Sequence, residues 1–397
     1  MINSLTSRSE ILWRQVWGLA ALLAAIIFSW MAYRIYQPKI LQKLDFVELT
    51  AWLGILQGLL AAFIEPLIGA FSDRIQRNLG SRLPMISVGV TLAGVIFVAT
   101  SLLVQQNLQG GIRWILPVLM TVWVMAIIAF RSPAIALLRQ FAPVAELPQA
   151  NAVLLIVFGL IGAIGPILDD FLKKIGASIT FMLAAIALII GACILQSFTP
   201  VHRFDPSTLD RDAPCSVPTQ LLTLIFVVGL CAGFEVNLLM SIFPKELQAQ
   251  LPSFKAEYIT STILLLSAIA SVPLGKLTTL LGADHAMLFG LGTMTGLMGL
   301  TLLNDSHIQA LGIILAFGVS FGLVFISMIP LALGMVAPSH AGLGTGLYFS
   351  GGGAGFALVS ILINNSGIIP IGAFLLAEIA FLVVVVCIFL SWKIRTV

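Results

Sequence analysis

The chain reads as long apolar runs broken at short intervals by Pro, Gly and charge. Uninterrupted stretches of helix-spanning length recur approximately at 11–36, 48–71, 85–105, 112–137, 151–171 and 176–198. A second set follows at 219–243, 256–281, 285–304, 308–336, 341–365 and 368–392. A helix needs roughly 20 apolar residues to cross a bilayer, so twelve membrane-spanning helices are predicted, and they consume most of the 397 residues. Between the two sets lies the most polar stretch of the chain, residues 199–218, which reads as a linker. The predicted organisation is an N-terminal six-helix bundle over 1–198, a cytoplasmic linker over 199–218 and a C-terminal six-helix bundle over 219–397.

Composition sharpens this picture. Hydrophobic residues make up 59% of the chain and charged residues 9%, and mean hydropathy is +1.08; soluble domains are nearer half apolar and a quarter charged. An all-α integral membrane protein follows, with no room for a soluble catalytic domain. A formal net charge of +3 is too small and too dispersed to point to nucleic acid. Location matters more than total: Arg74, Arg77 and Arg82 crowd one short loop, and basic residues are retained on the cytoplasmic side. Both termini are therefore expected in the cytoplasm, and the plasma (inner) membrane is the expected location. Cys193, Cys215, Cys231 and Cys387 are far apart and form neither a metal motif nor a disulfide framework. The four histidines have no metal-ligand spacing, and no nucleophile–base set is visible, so neither an enzyme nor a resident cofactor is expected.

An internal repeat supports the division into two sixes. Gln37-Pro38-Lys39-Ile40-Leu41-Gln42 is echoed by Phe243-Pro244-Lys245-Glu246-Leu247-Gln248, and Gly69 by Gly275, both at an offset of 206 (244 − 38 and 275 − 69). Each repeat holds an even number of spans, so the halves should be related by an axis along the membrane normal.

The loop after the second span reads Gly69-Ala70-Phe71-Ser72-Asp73-Arg74-Ile75-Gln76-Arg77-Asn78-Leu79-Gly80-Ser81-Arg82. It resembles the signature loop of the major facilitator superfamily. Its longer interval to Pro84, together with Arg131-Ser132-Pro133-Ala134 and Ala150-Asn151-Ala152, is similar to the sucrose and glycoside-pentoside-hexuronide cation symporter branch. The resemblance implies two pseudo-symmetric bundles around a central cavity and a monomer moving a small-molecule substrate through the lipid bilayer by alternating access, with a proton or other cation as coupling partner. It also implies that Gly69, Asp73, Arg74, Arg77, Gly80 and Arg82 form a gating loop. Physically, Gly69 permits close helix approach, and Asp73 can accept from a helix N-terminus or pair with arginine.

Ionisable residues inside spans are costly and usually face a cavity or a partner. Glu65 and Arg131 lie at similar depths in the second and fourth spans and are expected to pair. Glu235 in the seventh span, with Asn237 two residues on, has no basic neighbour in its own span and is the candidate coupling acid. Trp30, Tyr33 and Arg34, at the outer end of the first span, are candidate substrate contacts, although membrane-interface belts use the same residue types. Asp169, Asp170, Lys173 and Lys174 read as a solvated loop, and the glycines over 342–346 and 351–355 as a smooth face for moving helices. The alternative function is a non-coupled facilitator, or a pigment- or lipid-handling membrane assembly factor of the same fold.

Overall fold

A computed structural model describes residues 10–106, 108–199, 217–303, 306–366 and 368–395 of the chain. Most of the linker, with Cys215, Arg203 and Arg211, lies outside the described residues, as does Arg8. Among the described residues, twelve helices are long and apolar enough to cross a membrane. In chain order they are α1 (Trp13–Lys43), α2 (Val47–Leu79), α3 (Leu83–Leu103), α4 (Ile115–Ala136), α5 (Leu147–Ala163) and α6 (Ala177–Phe198). There follow α7 (Thr219–Gln250), α8 (Ala256–Leu281), α9 (Ala283–Leu302), α10 (His307–Gly334), α11 (Ala341–Ser366) and α12 (Pro370–Arg395). They form two six-helix bundles. One large apolar cluster is drawn mainly from residues 16–195 and the other from 221–388. A smaller cluster of Ala152, Leu155, Leu274, Ala286, Leu323 and Ile326 joins α5 to α8, α9 and α10 across the bundle boundary.

Four boundaries differ from the sequence reading. The second span, expected to end near 71, runs on to Leu79, so Gly69, Asp73, Arg74 and Arg77 of the expected gating loop lie on α2 and only Gly80 to Arg82 form the turn. Gln37-Pro38 does not end α1, which runs on to Lys43 with Pro38 inside it; Pro244 is likewise internal to α7. An internal proline removes one backbone donor. Continuing the helix keeps Ile40, Leu41, Phe243 and Leu247 buried, and neighbouring groups in a bundle can absorb the lost bond. The fifth span instead stops at Ala163, and Gly165-Pro166 opens a separate helix, Gly165–Ile175, because proline is favoured in a first turn. Asp169 to Lys174 therefore lie on a short amphipathic helix and not on a loop.

Glycine governs how the bundles meet. On one flank α2 lies against α11: a methyl built on Gly58 would be 2.5 Å from the Gly353 carbonyl oxygen, and one on Gly346 would be 2.5 Å from that of Glu65. On the other flank α5 lies against α8, where a methyl on Gly159 would be 2.5 Å from the Leu264 carbonyl oxygen and one on Gly275 would be 3.0 Å from the Ala152 Cβ. Contacts of this kind need the missing side chain. The glycines of α11 serve both neighbours, since Gly351 and Gly355 face α7 as tightly as Gly342, Gly346 and Gly353 face α2.

Candidate functional site: the cavity between the bundles

A cavity of about 420 Å³ lies between the bundles. Its wall is mostly apolar and aromatic, with Trp30, Phe158, Phe321, Phe325, Tyr348, Phe349 and Phe356 supplying rings. Helices α1, α4, α7 and α10 contribute, and so do α2, α11 and Phe158 of α5. The flanking helices reach the wall because Gly58, Gly352 and Gly353 thin them there.

Arg131 is the one charged side chain on this wall among the described residues. Its guanidinium pairs with Glu65 and lies 4.8 Å from the ring centroid of Phe349. The two partners are unequally placed: the Glu65 side chain is fully buried, whereas that of Arg131 is 26% exposed. A ligand in the cavity therefore meets the cation and not the anion. Glu65 Oε2 and Arg131 Nε are buried without hydrogen-bond partners, so the pair is incompletely satisfied.

Trp30 lines the cavity. Tyr33 stands just behind it, its hydroxyl accepting from Gln57 Nε2 at 2.7 Å and its ring stacked 5.0 Å from Trp123. Trp123 stacks in turn on Phe97 at 4.3 Å, so Tyr33 braces Gln57, which is on the wall, through a column of rings. Arg34 is elsewhere. It is largely exposed and donates to Asp169 at 3.0 Å, tying α1 to the short helix after α5.

Helix α7 presents Gly229, Ala232, Gly233, Val236 and Asn237 to the cavity. Glu235 falls about 120° from the centre of that stripe at 100° per residue. It is fully buried within the C-terminal bundle, where it accepts from the Thr295 hydroxyl of α9 at 2.9 Å. Its Oε2 has no partner. Glu235 and Asn237 thus belong to different environments: Asn237 is on the wall, donating to the Gly233 carbonyl at 2.7 Å, and the acid stands behind it.

At the end where α1 begins and α12 finishes, the termini side, the cavity is closed. Asp73 accepts from the backbone N–H groups of Gly342 and Leu343, each at 2.8 Å, and pairs with Arg82. The Asp73 and Arg82 side chains are 3% and 0% exposed. A carboxylate on the first amides of α11 satisfies donors that a helix start leaves open and meets the positive end of its dipole. Gly80 ends α2 in the left-handed region, at φ 72°, which turns the chain so that Arg82 reaches back to Ser72 and Asp73. Arg74 and Arg77 are exposed and outside this cluster. Asn151 and Ser350 add cross-bundle bonds, Asn151 donating to the carbonyls of Phe325 and Ile326 at 2.9 and 3.0 Å and Ser350 to that of Ala62. Sequence reasoning missed the roles of Gln57, Asn151, Phe349 and Ser350; an isolated amide or hydroxyl in an apolar run is the available signal. Among the described residues, no three His, Cys, Asp or Glu side chains gather as a metal site.

No protein-family model matches the sequence, and no curated protein sequence does. Solved structures do match. The human organic anion transporter MFSD10 (TETRAN) is similar at a TM-score of 0.70 and 16% identity, over 95% of this chain and 99% of that one. A bacterial homologue of the iron transporter ferroportin, in an outward-facing state, is similar at a TM-score of 0.70 and 13% identity, over 98% of this chain and 100% of that one. With its twelve spanning helices in two bundles, the chain has the major facilitator fold.

Proposed function

We propose that this protein is a secondary transporter that moves a small solute by alternating access between two bundles, residues 1–198 and 219–397. The observation that carries this reading is a cavity at the bundle interface with a charged fastening at one end. Asp73, Gly342 and Leu343 close the termini end, whereas at the opposite end a groove of about 650 Å³ shares Asn237 and Phe356 with the cavity. A binding site open to one side and latched at the other is one state of such a cycle. The termini side is assigned to the cytoplasm on the crowding of Arg74, Arg77 and Arg82, which makes the state outward-open in the plasma membrane.

Coupling to a proton or another cation is assigned to Glu235, the buried acid with an unpartnered oxygen next to the cavity helix stripe. The resemblance to sugar–cation symporters rests on two loops. A ring-lined wall with few hydrogen-bonding groups instead favours a predominantly apolar solute, which equally suits the facilitator or lipid-handling reading. Cysteines introduced at wall positions such as Val236 test the mechanism: in alternating access they react with a membrane-impermeant thiol reagent from either side, one side at a time. Reactivity from one side only, under all conditions, overturns transport. Uptake into proteoliposomes with and without a pH gradient then separates coupled transport from facilitation.

A further inference from the structure

The two flanks of the interface differ at the end away from the termini. On the α5–α8 flank contact persists to the helix ends: a methyl on Gly162, next to the last residue of α5, would lie 2.5 Å from a Leu264 methyl carbon. The short helix Gly165–Ile175 also touches α8. On the α2–α11 flank a methyl on Gly58 would lie 2.5 Å from the Gly353 carbonyl oxygen and 2.7 Å from the Ala357 Cβ. One turn further, about 6 Å along the axis, nothing lies within 4 Å of a methyl built on Gly54.

The space left there is the 650 Å³ groove. Thr50 and Gly54 of α2 form one wall and Phe356 and Ser360 of α11 the other, each pair at helical spacing on a single face, while Pro38 of α1 and Ser241 of α7 lie between them as a floor. The groove is thus walled by α2 and α11 and floored by α1 and α7, on the flank where α2 meets α11. Through Asn237 and Phe356 it runs into the cavity. The cavity beyond has an apolar, ring-lined wall and, among the described residues, a single charged group, Arg131, whose partner carboxylate is fully buried.

We propose that the α2–α11 groove is a side entrance through which an acidic amphiphile dissolved in the leaflet away from the termini slides into the cavity, apolar body along the rings and anionic head toward Arg131. This rests on the transport reading and names its substrate class. An apolar body gains on leaving water but little on leaving lipid, so for such a solute the head-group contact decides selectivity. The exposed edge of a guanidinium favours a carboxylate over an ammonium.

The experiment uses the full-length protein in lipid nanodiscs with two photoreactive probes: palmitic acid bearing a diazirine, and the same chain ending in a quaternary ammonium. Crosslinked positions are read by mass spectrometry. The acid should label the segments around Phe321–Phe325 and Tyr348–Phe356, and the ammonium probe should label them at least fivefold less. Gly54→Trp fills open space, so folding should be retained; it should cut cavity labelling by the acid at least fivefold while labelling at exposed Ile269 of α8 stays within twofold. Ser360→Trp, on the opposite wall, provides the same test if Gly54→Trp fails to fold. Absence of cavity labelling in the parent, equal labelling by the ammonium probe, or cavity labelling unaffected by the tryptophan overturns the proposal. The readout needs no turnover, so its failure is distinct from failure of the thiol-accessibility test of alternating access.

Discussion

Gly69 of α2 and Gly342 of α11 touch backbone to backbone: a methyl built on Gly69 would stand 2.2 Å from the Gly342 carbonyl oxygen. No side-chain rearrangement relieves such an overlap, because the opposing atom is main chain. Gly69→Ala should therefore force the closed end apart by overpacking, which typically costs about 1–3 kcal/mol. The expected outcome is that a cysteine at Val236 becomes more reactive from the termini side, whereas Gly111→Ala, at a position with nothing within 4 Å, leaves that reactivity unchanged.

Asp73→Asn should weaken the same closure by a different route. It removes the charge that neutralises Arg82, whose side chain is fully buried, and breaking a buried pair by deleting one partner costs on the order of 3–5 kcal/mol. Transport should slow or become biased. Ligand affinity should stay within a few fold, since neither residue lines the cavity. Loss of binding in a correctly folded variant would contradict the latch role.

The Glu65–Arg131 pair should respond asymmetrically. Arg131→Gln strands a carboxylate with no access to water, while Glu65→Gln leaves a cation that is 26% exposed and rests on Phe349. Desolvation penalises the first far more. Thermal melting in detergent should show a clearly larger loss for Arg131→Gln; equal losses would contradict the burial difference.

How much of this could be read from the chain depends on which physical signal each feature leaves. The spans are legible because a bilayer demands about 20 apolar residues in a row, and the repeat is legible at Pro38/Pro244 and Gly69/Gly275. The facing of Glu235 is not. In a soluble helix the polar face reports orientation, but α7 is apolar all round, so whether residue 235 or residue 236 meets the cavity is settled only by packing against α9 and α11. Arg34 shows the same limit: its partner Asp169 is 135 residues away, on a helix that the run of charges after Pro166 disguises as a loop.

Glu235→Gln preserves the acceptor for Thr295 and abolishes titration. Under the coupling reading it should keep exchange or binding and lose pH-driven accumulation in proteoliposomes. Full gradient-driven accumulation by the variant would remove Glu235 from the coupling role.

Asp169, outside the spans, gives a pH prediction for stability. Burial holds its carboxyl above the ordinary aspartate range, and Arg34 opposes that shift without cancelling it. Arg34 is 68% exposed, so solvent screens the pair. A carboxyl whose folded pKa is raised binds its proton more tightly in the native state. Its stabilising contribution is complete below the unfolded pKa and is lost as pH rises through the folded one. Asp169→Asn should thus be neutral or stabilising near pH 7 and lose that advantage on acidification, as read by melting temperature across pH 3–7.

The repeat carries Asp73 onto Thr279 at the offset of 206 (279 − 73), and there the symmetry fails. The Thr279 hydroxyl donates to the Gly275 carbonyl of its own helix at 3.0 Å and offers nothing to α5. The flank formed by α2 and α11 has a charged fastener at one end and a gap at the other; the flank formed by α5 and α8 has neither, only unbroken contact. That is the layout of a door, with a bolt and an opening on one edge and a hinge along the other. If the bundles rock as proposed, this layout makes the α5–α8 edge the pivot and puts the largest change in spacing between α2 and α11.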